Sequence, residues 1–107
     1  SAEMDIFQSE VFGPVLGIMP FDTEQQAWNL ANGTDYGLVA GIFSNDINRC
    51  LRGSRALRAG QVFVNEWYAG GIETPFGGTG LSGFGREKGQ EALYNYVQTK
   101  NIAIRIS

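Results

Sequence analysis

The sequence predicts an α/β fold: a parallel sheet with crossover helices, and a last strand at an edge or in a separate small sheet. Two observations carry this. Short apolar runs alternate with stretches of helical period, and strands separated by helices pair in parallel through right-handed crossovers. The final run instead alternates apolar and polar positions, as a half-exposed strand does, whereas covered parallel strands are apolar throughout.

The elements follow in order. Residues 15–21 (VLGIMPF) read as a buried strand. Asp22 or Thr23 caps the next helix, and Thr23 with Gln26 fits a capping box. Ala27, Leu30 and Ala31 give that helix one apolar face, and Gly33 is placed to end it. Residues 38–43 (LVAGIF) form a second strand. Ser44, Asn45 and Asp46 offer caps for a second helix, in which Ile47, Cys50, Leu51, Ser54 and Leu57 recur at helical spacing up to Gly60. Residues 61–65 (QVFVN) make the third strand, and the first three strands are expected in one sheet. A glycine-rich loop spans 67–85. Residues 86–97 read as a third helix with Ala92, Leu93, Tyr96 and Val97 inward, before the alternating strand 101–107. The expected division is a domain portion over 1–97 and an oligomerisation strand over 98–107.

Composition excludes several function classes. A net charge of -3 argues against nucleic acid or an anionic membrane as partner. No apolar run is long enough to cross a bilayer, and no basic-then-apolar leader pattern opens the chain. Histidine is absent, which removes His-based triads and His-containing metal sites, and no metal site is expected. A single cysteine permits no internal disulfide and fits a reducing cytoplasm. In helical phase Cys50 points to the core, where a free thiol behaves as a small hydrophobe. Residues 78–83 satisfy G-x-G-x-x-G, but no acidic residue follows about twenty positions on, so a close-packed glycine loop is expected rather than a dinucleotide site. Arg49, Arg52, Arg55 and Arg58 read as a solvated basic face whose last members suit a helix C-terminus.

Three segments taken together resemble the aldehyde dehydrogenase superfamily: E-V-F-G-P at 10–14, N-G-T-D-Y-G-L-V-A-G at 32–41, and P-F-G-G at 75–78 followed by S-G-F-G-R-E at 82–87. The resemblance runs from about Met4 to the C-terminus. It implies a parent enzyme in which a cysteine thiolate attacks an aldehyde, hydride passes to NAD or NADP, and water hydrolyses the thioester to a carboxylic acid. In the family that cysteine, the general base, the oxyanion hole and the Rossmann-type domain precede this region. The expectation is therefore a C-terminal portion of the catalytic domain, inactive alone, with Cys50 not the nucleophile. The alternatives are a truncated, non-catalytic interaction module, or a semialdehyde or phosphate-reducing relative.

The resemblance also implies site roles. Glu10 matches the glutamate whose carboxylate holds the nicotinamide ribose, since two carboxylate oxygens can accept from two vicinal hydroxyls. Phe12 matches the aromatic beside the nicotinamide. Phe76 matches an aromatic wall of the aldehyde pocket, and Trp67, Tyr68, Ala69, Gly70 and Gly71 match the tunnel rim. An aromatic rim of that kind suits apolar aldehydes or a quaternary ammonium. Glu87 matches a possible proton relay to the catalytic base, and Arg86 a member of a structural ion pair. The expected partners are a small-molecule aldehyde and further copies of the chain, joined through the C-terminal strand. One departure stands out: Gly80 occupies a position where many relatives carry lysine.

Overall fold

A computed structural model describes residues 1–107. The elements in chain order are α1 (Asp5–Gln8), α2 (Glu24–Ala31), β1 (Tyr36–Gly37), β2 (Val39–Ile42), α3 (Ile47–Ala56), β3 (Gln61–Val64), β4 (Thr79–Gly80) and a 3-10 helix over Gln90–Tyr96.

The centre is a β2–α3–β3 unit. β2 and β3 pair in parallel with Val39 opposite Gln61 and Ile42 opposite Val64. α3 is the crossover, and it starts where Asp46 accepts from the N–H groups of Asn48 and Arg49 at 2.9 and 3.2 Å, satisfying donors the helix itself cannot. Ile42, Cys50 and Phe63 are the buried apolar residues, one from each member of the unit. Gly53 lets α3 close on its neighbours: a Cβ there would stand 2.5 Å from Trp28 Cη2 and 2.7 Å from Ile42 Cδ1.

α2 begins in a capping box. Thr23 Oγ1 accepts from the Gln26 N–H at 3.2 Å, and Gln26 Oε1 accepts from the Asp22 N–H at 2.8 Å. Its C-cap residue, Asn32, also ends α3. The Asn32 side chain donates to the Ala56 carbonyl and accepts from the Arg58 N–H, both at 2.8 Å. α3 therefore stops at Ala56, four residues short of the expected Gly60. Beyond β3, Asn65 adopts φ 54° and exchanges hydrogen bonds with Ser44, donating at 2.9 Å and accepting at 2.8 Å, which closes the end of the sheet.

Four expectations are corrected. Residues 15–21 form no strand, and Leu16 and Ile18 are 83% and 82% exposed. A groove of about 880 Å³ is lined by Gly17, Met19 and Phe21 on one side and by β2 on the other, so the run never reaches a hydrogen-bonding neighbour. The parallel sheet thus has two strands rather than three. β4, inside the glycine-rich loop, adds an antiparallel pair with β1, Tyr36 opposite Gly80. The third helix is a 3-10 helix that starts only at Gln90, with Leu93, Tyr96 and Val97 exposed instead of inward. Its delay has a cause: Glu87 exchanges both backbone hydrogen bonds with Phe76, and Lys88 and Gly89 follow at φ 59° and 60°. The fourth concerns residues 101–107, which form no strand in the single chain, with Ile102, Ile104 and Ile106 all exposed.

The molecule is drawn out. Its Cα radius of gyration is 18.9 Å and its extents are 73 × 33 × 24 Å, against roughly 13 Å for a compact domain of about 100 residues. Only 6 of 107 residues are buried, so most apolar side chains face outward.

Candidate active-site surface

Two adjoining regions hold the residues singled out from the sequence. The first is built on the N-terminal loop. Gln8 Nε2 donates to the Gly33 carbonyl and to the Ala2 carbonyl, each at 3.0 Å, which ties the end of α1 to the end of α2. Glu10 is thereby set into a groove of about 500 Å³ beside Phe7, Asn32, Tyr36, Leu38 and Ser82. Its carboxylate is exposed and makes neither ion pair nor hydrogen bond within the chain; the only ion-paired carboxylate belongs to Glu24. Phe12, two residues on, is 96% exposed and does not line that groove.

The second region lies on the loop after β3. Tyr68, Ala69, Gly70, Gly71 and Phe76 come together with Phe63, Thr74 and Lys88 around a small pocket. Gln61 Nε2 donates to the Pro75 carbonyl at 2.9 Å and holds Phe76 against β3. Trp67 sits outside the pocket. Its ring packs edge-on to Phe63 at 5.9 Å and lies over Gly41, where a Cβ would come within 2.9 Å of the indole. Tyr68 keeps φ at 66°, a backbone region uncommon for a bulky residue. Lys88 is the residue that sequence reasoning missed. Its Nζ lies 5.6 Å from the Tyr68 ring centroid and 5.6 Å from that of Phe76. A lysine in the stretch read as the third helix carries no pattern in sequence; only the fold brings it beside two aromatic rings.

The two regions share a border, because Leu38 and Ser82 line the Glu10 groove and also a shallow one with Phe76, Arg86 and Glu87. Glu87 is exposed and unpaired. The expected Arg86 ion pair is absent: Arg86 Nη1 instead donates to the carbonyls of Gly78 and Gly85 at 2.7 and 2.8 Å. The glycines crowd the backbone so closely that carbonyl oxygens, not carboxylates, are within reach. The G-x-G-x-x-G stretch is close-packed only in part: Gly78 is buried and a Cβ at Gly78 or Gly80 would meet Ser82 or the Asp35 carbonyl, but residues 79–81 and Gly83 are exposed and Gly83 has open space around it.

Cys50 is fully buried, its Sγ 3.7 Å from the Ser44 carbonyl, and faces neither region. The aldehyde dehydrogenase family model matches residues 1–102. The chain belongs to the aldehyde dehydrogenase family.

Its relatives agree. This aldehyde dehydrogenase chain is 48% identical over 102 residues to a peroxisomal aminoaldehyde dehydrogenase of Pisum sativum, covering 95% of the chain and 20% of the relative. It is 42% identical to the 4-trimethylaminobutyraldehyde dehydrogenase of Oryzias latipes over the same shares of the two chains. An indole-3-acetaldehyde dehydrogenase of P. syringae, solved with NAD+ and IAA, superposes at a TM-score of 0.91 with 40% identity, over 99% of this chain and 21% of that one. A betaine aldehyde dehydrogenase of Staphylococcus aureus in complex with NAD+ superposes at 0.86 with 43% identity, over 90% of this chain and 19% of that one. The chain spans about a fifth of the length of the curated relatives it matches. The expected α/β class, with its parallel pair, therefore stands as part of a larger fold.

Four arginines were expected to form a solvated face, and three of them make further contacts. Arg52 Nε and Nη2 donate to the Glu24 carboxylate at 2.7 and 2.9 Å, and Arg49 joins at 3.4 Å. The fork of Arg52 holds Glu24 well below the usual carboxylate range, at about 2, and Glu24 raises Arg52 in turn. Arg58 reaches the Asn32 carbonyl, serving the end of α2 rather than of its own helix.

Proposed function

We propose that these 107 residues are the cofactor-facing and aldehyde-facing C-terminal portion of an NAD(P)-dependent aldehyde dehydrogenase that oxidises an aldehyde to a carboxylic acid through a cysteine thioester. One observation supports it above the others: an unpaired carboxylate, Glu10, lines a groove bordering the aromatic pocket, in a chain that matches the family over residues 1–102.

The residues present fit the nicotinamide end of the cofactor. Glu10 has both oxygens free to accept from the two vicinal hydroxyls of a ribose, and charged acceptors make the stronger hydrogen bonds. Phe12 projects an uncovered aromatic face suited to pack beside the ring. The cofactor, when bound, supplies the hydride acceptor. Phe76 gives the aldehyde a rigid wall, which orients it, and Tyr68, Ala69 and Gly70 shape its approach with Trp67 at the rim. The exposure of Glu87 on the shared border supports the role of proton relay toward the base. The nucleophile and the base are supplied outside this chain, since Cys50 is sealed in the core.

The same reading covers assembly and location. The alternating isoleucines of 98–107 lack any partner within the chain, which favours pairing with another copy. A single unpaired thiol suits the cytoplasm. No helix is long and apolar enough to cross a membrane.

The test is Glu10→Gln in the parent enzyme. Losing a charge-assisted hydrogen bond costs about 1–3 kcal/mol, or roughly 5- to 160-fold in rate. Single-turnover hydride transfer should slow by that factor while aldehyde binding changes little. Unchanged hydride transfer would remove Glu10 from the cofactor site.

A further inference from the structure

We propose that Gly41 decides how bulky an aldehyde this enzyme accepts, by leaving the space in which the Trp67 indole is seated. The inference rests on the proposed place of Trp67 at the rim of the aldehyde's approach, and it names substrate bulk as what that rim reads.

The seat begins in the sheet. Successive residues of a strand point to opposite faces, and residues opposite each other on paired strands share a face. Ile42 faces α3, where a Cβ on Gly53 would stand 2.7 Å from its Cδ1. Gly41, one residue earlier, belongs to the other face, and its register partner is Phe63. The loop after β3 covers that face. The Trp67 ring stands edge-on to Phe63 at 5.9 Å, and the Tyr68 ring lies 6.4 Å from it. Phe63 is buried beneath them.

The chain reaches that position by a reversal at Asn65. Its N–H donates to the Ile42 carbonyl at 2.8 Å, its amide side chain bonds both backbone groups of Ser44, and its φ is 54°. Asparagine enters this left-handed region more readily than most residues. The chain therefore turns back over β2, and Trp67, two residues on, arrives over Gly41. A side chain at that position would not admit it: a Cβ on Gly41 would stand 2.9 Å from Trp67 Cζ3 and 3.0 Å from Cε3. Carbon atoms in good contact sit about 3.5–4.0 Å apart, so the indole would have to move. With the strands beneath it and Phe63 beside it, its relief is outward, away from the sheet and into the space that an aldehyde crosses at the rim. Close-packed side chains transmit a shift of this kind instead of absorbing it. One methyl group under the indole is thus felt in the substrate's path.

The experiment uses the parent enzyme and two aldehydes, propionaldehyde and phenylacetaldehyde, and reads the ratio of their kcat/KM values, bulky over small. Gly41→Ala should lower that ratio at least about fivefold, chiefly through the KM of phenylacetaldehyde. In a Trp67→Ala background the same substitution should leave the ratio within about twofold, because the side chain it displaces is gone. An unchanged ratio in Gly41→Ala would overturn the proposal, and so would an equal drop in both backgrounds. Should Gly41→Ala fail to fold, the double variant decides. A folded Gly41→Ala, Trp67→Ala enzyme with the ratio of Trp67→Ala supports the proposal; a double variant that also fails to fold puts the role of Gly41 in the sheet itself and overturns it. Trp67→Ala alone separates the inference from the reading beneath it. A ratio unmoved by that substitution would take Trp67 off the rim, and the inference with it. A changed ratio there beside an unchanged one in Gly41→Ala would overturn the inference alone. Failure of the parent enzyme to oxidise either aldehyde would defeat the proposed function and, with it, this inference.

Discussion

Glu24 joins two helices by one carboxylate, and its behaviour with pH follows from that. Its side chain retains 27% exposure, so solvent and salt weaken the pair without abolishing it. A carboxyl whose pKa falls on folding contributes stability above its unfolded pKa and loses that contribution as pH drops through the folded value. For Glu24 the window runs from about 4.5 down to about 2. A carboxyl-resolved NMR titration should therefore find Glu24 still ionised at pH 3, and Arg52→Gln should return its midpoint toward 4.5. A midpoint near 4.5 in the unaltered protein would show that the clamp does not hold in solution. The pairing was not legible in sequence, because Glu24 and Arg52 are 28 positions apart and a run of arginines reads as a water-facing stripe. Cys50 was legible for the opposite reason: its position within one helix settles which way it points. Glu10, Phe76 and the rim were legible only through family motifs, and Lys88 had no such marker.

At the scale of elements, what the chain encodes locally was read correctly. The capping box of α2, the Asp46 cap of α3 and the parallel strands β2 and β3 each depend on neighbours within a few residues or one crossover. What failed depends on a partner elsewhere. An apolar run specifies burial but not the strand beside it, so residues 15–21 remain unpaired here. The β1–β4 pair joins two-residue strands more than forty positions apart, too short to leave an alternating pattern. Residues 98–107 test the same logic. If this segment pairs with another copy, a parent enzyme lacking it should sediment as a smaller species than the wild type. Unaltered assembly would take the strand out of the interface.

On the scale of the molecule, exposure governs. A chain with 6 of its 107 residues buried is a layer of something thicker, and its apolar faces await cover. Alone it should form no NADH from any aldehyde. Oxidation needs a thiolate, a base, an oxyanion hole and a held nicotinamide in one geometry. The chain offers one sealed thiol and no histidine, and the contact proposed for Glu10 and Phe12 reaches only one end of the cofactor, too small to offset the freedom lost on binding. Turnover that scaled with the concentration of the purified chain and vanished in Cys50→Ser would defeat this reading. The few residues that are buried have a consequence in time. Ile42, Cys50 and Phe63 lie close together in sequence, so β2, α3 and β3 can meet by closing one short loop. Short closures are fast and lose little chain entropy, whereas sheets assembled from distant strands are slow. The β2–α3–β3 unit is thus the seed of this region: it can condense before any cover arrives, and it presents the edge on which slower, long-range pairing is completed.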